Sequence, residues 1–165
     1  MGTSIDAGIS MTAIHRSFDR LDAALTGWMA RNGILLLRLS LGIVFFWFGF
    51  LKFFPGLSPA QTLAGNTISL LSFGLVSPGA AVILLAVWEC LIGIGLLSGL
   101  FLRATLALLW LQMLGTITPL FLFPEICFVS VPFVPTLEGQ YIIKNLVLIS
   151  AGIVIGGTVR VGIRR

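Results

Sequence analysis

The chain has 165 residues, of which 58% are hydrophobic and only 10% are charged, with a formal net charge of +4 and a pI near 9.8. Soluble domains carry about 25% charged residues, so the composition excludes a soluble domain and predicts one all-α integral membrane domain. The basic residues are scattered near the ends of apolar segments, without the basic patches interleaved with aromatics that bind nucleic acid. We therefore expect a lipid bilayer as the partner and no nucleic acid.

Residues 1–32 form a polar leader. Within it, Ile14, Phe18, Leu21, Leu25 and Trp28 recur at helical spacing, and the charged residues fall mostly elsewhere on the helical wheel. This pattern predicts an amphipathic helix lying on the membrane surface with its tryptophan at headgroup level. The leader is too long for the short charged segment of a cleaved signal peptide, so the first span is expected to stay in the mature protein.

Four apolar segments follow, each long enough to cross about 30 Å of hydrocarbon at about 1.5 Å per residue. They predict a four-helix transmembrane domain over residues 33–160, followed by a basic tail at 161–165. The predicted spans are 33–54, 79–100, 102–123 and 141–160.

The arginines predict the orientation of these spans. Arg31 and two earlier arginines precede the first span, Arg103 marks the second connection, and three more arginines follow the last span. The connection 55–77 has no charge, and 124–140 has only two glutamates. The positive-inside rule therefore places both termini in the cytoplasm of a multi-pass membrane protein.

The two outer connections have different compositions. Residues 62–76 are moderately apolar but too short and too rich in Gly, Ser and Thr for a span, which indicates an interfacial or re-entrant helix. Residues 124–140 hold three prolines and several β-favouring residues, which predict an extended cap over the mouth of the bundle.

Four ionisable residues lie within or at the edge of the apolar segments. They are Arg38, Lys52, Glu89 and Lys144. A charge at the centre of a bilayer costs about 2.5–3.5 kcal/mol on insertion scales. Each of these residues is therefore expected to pair with another group, to contact water or to serve a function. Glu89 is the strongest indication of a functional site, because it lies near the middle of the second span and its short side chain cannot reach water. We therefore predict a buried polar cluster around it.

The helical faces indicate which residues point inward. Arg38 and Lys52 share a face of the first span with Gly42 and Gly49, and Glu89 lies beside Gly93 on the second span. Small residues let membrane helices approach closely, so these two faces are expected to meet. The polar candidates are completed by Gln112, Lys144 and Asn145, with Lys144 starting the inward stripe of the fourth span.

Depths counted from the outer surface, at about 1.5 Å per residue, are roughly 3–5 Å for Lys52 and Lys144, about 15 Å for Glu89 and about 23 Å for Arg38. Arg38 or Lys144 is therefore predicted to approach Glu89, directly or through a water molecule. Lys52 lies close to a helix end. It is interpreted as an anchor that buries its aliphatic stem and keeps its ammonium in water at the membrane surface. An alternative is that Glu89 and Arg38 form only a structural ion pair. The expected apolar lining of the pocket is Phe45, Trp88 and Trp110.

Motifs for redox cofactors are not found in the sequence. It holds no haem-type histidine pair, flavin fingerprint or iron–sulfur cysteines, and Cys90 and Cys127 lack metal-ligand spacing. No metal site is predicted, and no catalytic residue is assigned. Any electrons must come from a partner protein.

Three sequence segments resemble the DoxX-like superfamily of four-helix membrane proteins, and most closely its RclC/YkgB type. They are LRLSLGIVFFWFGFLKFFP, WECLIGIGLLSGLFLRA and GQYIIKNLVLISAG, and the resemblance extends over about residues 33–160. The positions that correspond to the family pattern are Arg38, Gly42, Gly49, Lys52, Glu89, Gly93, Lys144 and Asn145. Asn145 departs from the pattern, because related members often carry an acid there.

The resemblance implies an inner-membrane protein of resistance to reactive chlorine and related oxidants. Some relatives are membrane subunits of oxidoreductases that deliver electrons to quinone. A quinone-like ligand in the polar pocket and a partner oxidoreductase are thus implied, and the chain is not expected to be an enzyme on its own. Two alternatives remain open: a scaffold that recruits a partner through its leader, and a small proton-coupled transporter, which would require a homo-oligomer.

Overall fold

A computed structural model of the chain describes the backbone of residues 3–58 and 61–159, and the side chains of the first helix from Phe18 onward. The predicted basic tail, 161–165, lies outside the described residues. The chain divides into two compact units at Leu36. The described part of the first unit belongs to helix α1, Thr3–Leu51, which continues without a break through residue 33, the boundary predicted between leader and first span. In this unit the apolar side chains of the leader, from Phe18 to Trp28, are exposed.

The second unit contains the rest of α1 and all the other elements. Its described part is helical apart from one short hairpin and the connecting turns. The elements are α2 Gln61–Leu71, α3 Pro78–Ser98, α4 Leu102–Ile117, α5 Pro119–Leu122, α6 Pro124–Cys127, β1 Phe128–Ser130, β2 Val134–Pro135 and α7 Leu137–Thr158.

Among the described residues, four helical segments are long and apolar enough to cross a membrane. This confirms the prediction of an all-α membrane bundle. The segments are Phe18–Leu51, Pro78–Ser98, Leu102–Leu122 and Leu137–Thr158.

Local chemistry sets the ends of the spanning helices. Ser77 accepts a hydrogen bond from the Ala80 amide at the start of α3, where Pro78 occupies the first turn. The same helix ends at Gly99, whose φ of 73° is a left-handed conformation that glycine adopts without strain. Proline cannot donate a backbone hydrogen bond, and Pro119 separates α4 from α5.

The core lies between the four spanning helices. Each helix contributes at least two of its apolar side chains, whereas most other large apolar side chains face outward. An outward apolar surface is expected where lipid is the solvent. The core residues are Leu41, Phe45, Ile92, Leu96, Leu106, Leu109, Met113, Ala151 and Ile155.

Glycines let α1 and α3 pack closely in antiparallel directions. A Cβ atom on Gly93 would lie 2.5 Å from the backbone nitrogen of Phe46, and one on Gly49 would lie 2.7 Å from the Cβ atom of Glu89. Any larger residue would push the helices apart. This is the packing that the stripe of small residues predicts.

The connections between the spans are held by side-chain bonds. Gln61, the first residue of α2, donates to the carbonyl oxygens of Lys52 and Phe54 at 3.2 and 3.3 Å and accepts from the Gly56 amide at 3.1 Å. The short antiparallel pair of β1 and β2 occupies the connection where an extended segment is predicted.

Candidate polar site in the membrane bundle

Lys52 and Glu89 form a buried ion pair. The Nζ atom of Lys52 lies 2.5 Å from Oε2 of Glu89, and the two residues are each 8% exposed. The same ammonium donates to the carbonyl oxygen of Phe48 at 3.3 Å. Gly49 makes this contact possible, since its missing side chain lets the backbone of α1 approach Glu89. Each charge thus has a hydrogen-bonded counter-charge, as a buried pair requires.

Gln112 of α4 completes the coordination of the carboxylate. Its Nε2 atom donates to Oε1 of Glu89 at 2.8 Å, so both carboxylate oxygens are engaged. The amide oxygen, Oε1 of Gln112, is buried and has no hydrogen-bond partner among the described residues. We call Lys52, Glu89 and Gln112 the polar cluster. Buried polar atoms are nearly always bonded, so the unpaired oxygen marks the place where the cluster can accept one more donor.

The fourth spanning helix adds a second amide near the polar cluster. Asn145 of α7 is half-buried, and its Nδ2 atom donates to Oγ1 of Thr116 at 3.4 Å. Thr116 lies one helical turn beyond Gln112 on α4, and residues four apart share a face of a helix. Asn145 therefore belongs to the polar lining next to the cluster, one step removed from the carboxylate.

Lys144 lies apart from the polar cluster. It is exposed, and its ammonium is 5.7 Å from the centre of the Tyr141 ring, three residues earlier on the same helix. Among the described residues, the ion pair of Glu89 is with Lys52, and the predicted approach of Lys144 is not seen. Lys144 likewise does not begin the inward stripe of α7.

Arg38 also lies away from Glu89, beside the C-terminal end of α3. Its guanidinium contacts Gly99, and its Nε atom is buried without a hydrogen-bond partner in the part of the chain that the structure describes. The predicted pairing of Arg38 with Glu89 is not seen. About 21 Å of helix separates the α carbons of Arg38 and Lys52, at 1.5 Å per residue. We call the two regions the Lys52 end and the Arg38 end of the bundle.

One rule of helix geometry explains the positions of the two lysines. Long side chains in a helix lean toward its N-terminus. Lys52, directly after α1, therefore leans back to the Phe48 carbonyl oxygen and Glu89, and Lys144 leans toward Tyr141 and the start of α7. The guanidinium of Arg38 contacts Gly99 at the end of α3. Depths counted from α carbons alone ignore this direction, which is the signal that sequence reasoning missed.

The aromatic residues predicted to line a pocket have other positions. Phe45 is in the core, Trp88 donates its indole N–H to the carbonyl oxygen of Leu108 at 3.1 Å, and Trp110 packs beside Gly152 while 39% of it is exposed. None of the three borders the apolar groove on the outer flank of α1 and α3. That groove has a volume of about 200 Å³ and is lined by Ile43, Phe46, Trp47, Phe50, Leu51 and Leu97.

The two cysteines are both free thiols. Cys90 follows Glu89 in α3, and its Sγ atom lies 3.9 Å from the carbonyl oxygen of Phe46. Cys127, at the end of α6, is fully buried. Burial raises the pKa of the Cys127 thiol above its ordinary value, and the nearby carboxylates of Glu138 and Glu125 raise it further. A thiol with a raised pKa is a poor nucleophile at neutral pH.

These features define a class: a multi-pass helical membrane protein with an ammonium, a carboxylate and an amide buried together between three of its spans. Comparison with protein families then identifies the chain more closely. The DoxX family profile matches residues 33–124, more than half of the sequence, and the chain belongs to the DoxX family. The matched region includes the whole polar cluster and Arg38 and ends before α7. Searches of curated proteins and of solved structures gave no significant match.

Proposed function

We propose that this DoxX protein is a bacterial inner-membrane protein of oxidant defence, of the type that protects against reactive chlorine. In this proposal the polar cluster binds the head of a quinone-like molecule, and a partner oxidoreductase supplies electrons to it. The observation that carries the proposal is the buried Lys52–Glu89 pair with the unpaired amide oxygen of Gln112 beside it.

The polar cluster has the donors and acceptors that such a ligand needs. An ammonium has three N–H bonds, and Lys52 uses two of them on Glu89 and Phe48, which leaves one for a carbonyl oxygen. The free Oε1 atom of Gln112 accepts a hydroxyl. A quinone presents carbonyl oxygens and its reduced form presents hydroxyls, so the cluster can hydrogen-bond either state.

Reduction of a quinone takes up two electrons and two protons. The sequence provides no motif for an electron carrier, so the electrons are assigned to a reduced cofactor of the partner. The protons are assigned to solvent and pass through the Lys52–Glu89 pair one at a time. The Lys52 ammonium donates the first proton, and water reprotonates the resulting amine by way of the Glu89 carboxylate before the second is donated.

The apolar groove supports the same ligand class. Phe50 and Leu51, which line it, are the last residues of α1 and immediately precede Lys52. A molecule with a polar head and an apolar tail could place its tail along this groove and its head near the end of α1. Ligand sites commonly combine a mostly apolar lining with a few polar groups in this way.

The binding test uses the purified protein in mild detergent with a short-tailed ubiquinone analogue. The unfolding temperature and tryptophan fluorescence are measured for the wild type, Lys52→Gln and Lys144→Gln. We expect the wild type and Lys144→Gln to respond alike, and Lys52→Gln to lose about 10-fold or more in affinity, equivalent to one charge-assisted hydrogen bond. Equal responses from all three proteins, or no response from the wild type, would refute the ligand assignment.

The cellular test separates this proposal from a scaffold. A bacterial strain lacking the protein is complemented with the wild type, with Glu89→Gln or with a chain lacking residues 1–32, and is then exposed to hypochlorous acid. Our proposal expects Glu89→Gln to lose protection. If Glu89→Gln protects fully while the shortened chain does not, the protein acts by recruiting a partner through its leader.

A further inference from the structure

The Arg38 end of the bundle contains a cation with no internal counter-charge. Among the described residues, Arg38 forms no ion pair and no side-chain hydrogen bond, and its Nε atom is buried. Arginine stays protonated in proteins, so the charge cannot be lost by neutralisation. A charge within a membrane span is costly unless it is paired, which makes an anion from outside the chain the natural partner.

The backbone around Arg38 makes room for such a partner. The guanidinium lies against Gly99, where a Cβ atom would collide with it and where the left-handed φ also favours glycine. Gly99 ends α3, and the carbonyl end of a helix carries only a partial negative charge. This partial charge orients the guanidinium and leaves most of its charge uncompensated.

The surroundings indicate that the partner lies at a membrane surface. The turn Gly99–Phe101 joins α3 to α4, and its apolar side chains point outward, with Leu100 64% exposed and Phe101 85% exposed. Side chains of this kind contact acyl chains near the headgroups. The phosphate of a lipid whose tails pack on this turn would lie within reach of Arg38.

We propose that Arg38 and the turn Gly99–Phe101 form a binding site for a phosphate group, separate from the polar cluster and carried by an anionic lipid. The planar guanidinium offers paired N–H donors that match two phosphate oxygens, a geometry that a lysine cannot reproduce. The exposed Leu100 and Phe101 favour a lipid over free phosphate as the source.

The test measures lipid binding to the full-length protein by native mass spectrometry. Wild type, Arg38→Gln, Arg38→Lys and Arg103→Gln are released from vesicles containing equal amounts of phosphatidylglycerol and phosphatidylcholine. Arg103 is the matched control, because it is an exposed arginine in the first turn of α4 beyond the same turn. We expect the wild type and Arg103→Gln to retain phosphatidylglycerol about 10-fold over phosphatidylcholine, equivalent to about 1.4 kcal/mol. Arg38→Gln is expected to lose this preference, and Arg38→Lys to keep only part of it.

A second measurement distinguishes lipid from free phosphate. The unfolding temperature of the wild type is measured in phosphatidylcholine vesicles with and without inorganic phosphate. Stabilisation by inorganic phosphate supports the phosphate site and assigns a soluble source, whereas stabilisation by phosphatidylglycerol alone assigns the lipid. No preference in the wild type, or equal losses in Arg38→Gln and Arg103→Gln, would overturn the site. The measurements on the wild type still test the site if Arg38→Gln fails to fold.

Discussion

Two cations on one face of α1 are treated differently by the fold. Lys52 is buried and paired with Glu89, which also accepts a hydrogen bond from Gln112, whereas Arg38 has no charged partner among the described residues. Lys52 reaches back to Glu89 in the middle of α3, whereas the guanidinium of Arg38 contacts Gly99 at the end of α3. The comparison teaches that two charges in the same apolar segment can differ in whether the described residues supply a counter-charge.

The largest expected effect is at the Lys52 end. Lys52→Met should cost about 3–5 kcal/mol of unfolding free energy, because it leaves the Glu89 carboxylate buried without its counter-charge. The double variant Lys52→Met, Glu89→Leu should recover most of that loss, since an apolar pair of similar volume replaces the ion pair. Unfolding is measured by titrating SDS into mixed micelles.

The matched control for this change is Lys144→Met. Lys144 is exposed and interacts with Tyr141, so its removal should change stability by less than about 1 kcal/mol. If Lys144→Met costs as much as Lys52→Met, the two lysines are equivalent and the polar cluster is wrongly assigned.

The next largest effect is expected at the contact between α1 and α3, which lies between the Lys52 end and the Arg38 end. Gly93→Leu should cost about 1–3 kcal/mol, because its Cβ atom would lie 2.5 Å from the backbone nitrogen of Phe46, and the two helices must separate. Gly79, near the start of the same α3, has nothing within 4 Å of its Cβ position, so Gly79→Leu is the control. Equal stability of the two variants in the same SDS titration would mean that α1 and α3 are not in close contact.

A smaller effect is expected within the polar cluster. Gln112→Leu removes a hydrogen bond to Glu89 but also removes the buried, unpaired Oε1 atom. A hydrogen bond to a charged group contributes about 1.5–3 kcal/mol, and an unsatisfied buried acceptor costs about 1–3 kcal/mol, so the net loss should be about 1 kcal/mol or less. A loss near 3 kcal/mol in the SDS titration would show that Oε1 already has a partner in the protein.

The sequence predicted the bundle more completely than the polar site. Apolar runs of span length and the glycines beside Glu89 sufficed for the four helices and for the contact of α1 with α3. The choice of counter-charge was missed because Lys52, Arg38 and Lys144 were ranked by the depth of their α carbons. The direction in which a side chain leans follows from helix geometry and could have been used, but the atoms that it bonds depend on packing that only the structure describes.

The smallest expected effect on stability is at the Arg38 end. Whether Arg38→Met lowers or raises stability tests the difference between Arg38 and Lys52. Arg38→Met keeps an apolar stem for packing and removes a charge that lacks an internal partner, so stability in neutral detergent should stay within about 0.5 kcal/mol of the wild type or rise. Adding phosphatidylglycerol should then stabilise the wild type and leave Arg38→Met unchanged, because only the wild type gains a bound anion. A loss in neutral detergent as large as that of Lys52→Met would mean that Arg38 is also compensated within the protein, and the two ends would not differ.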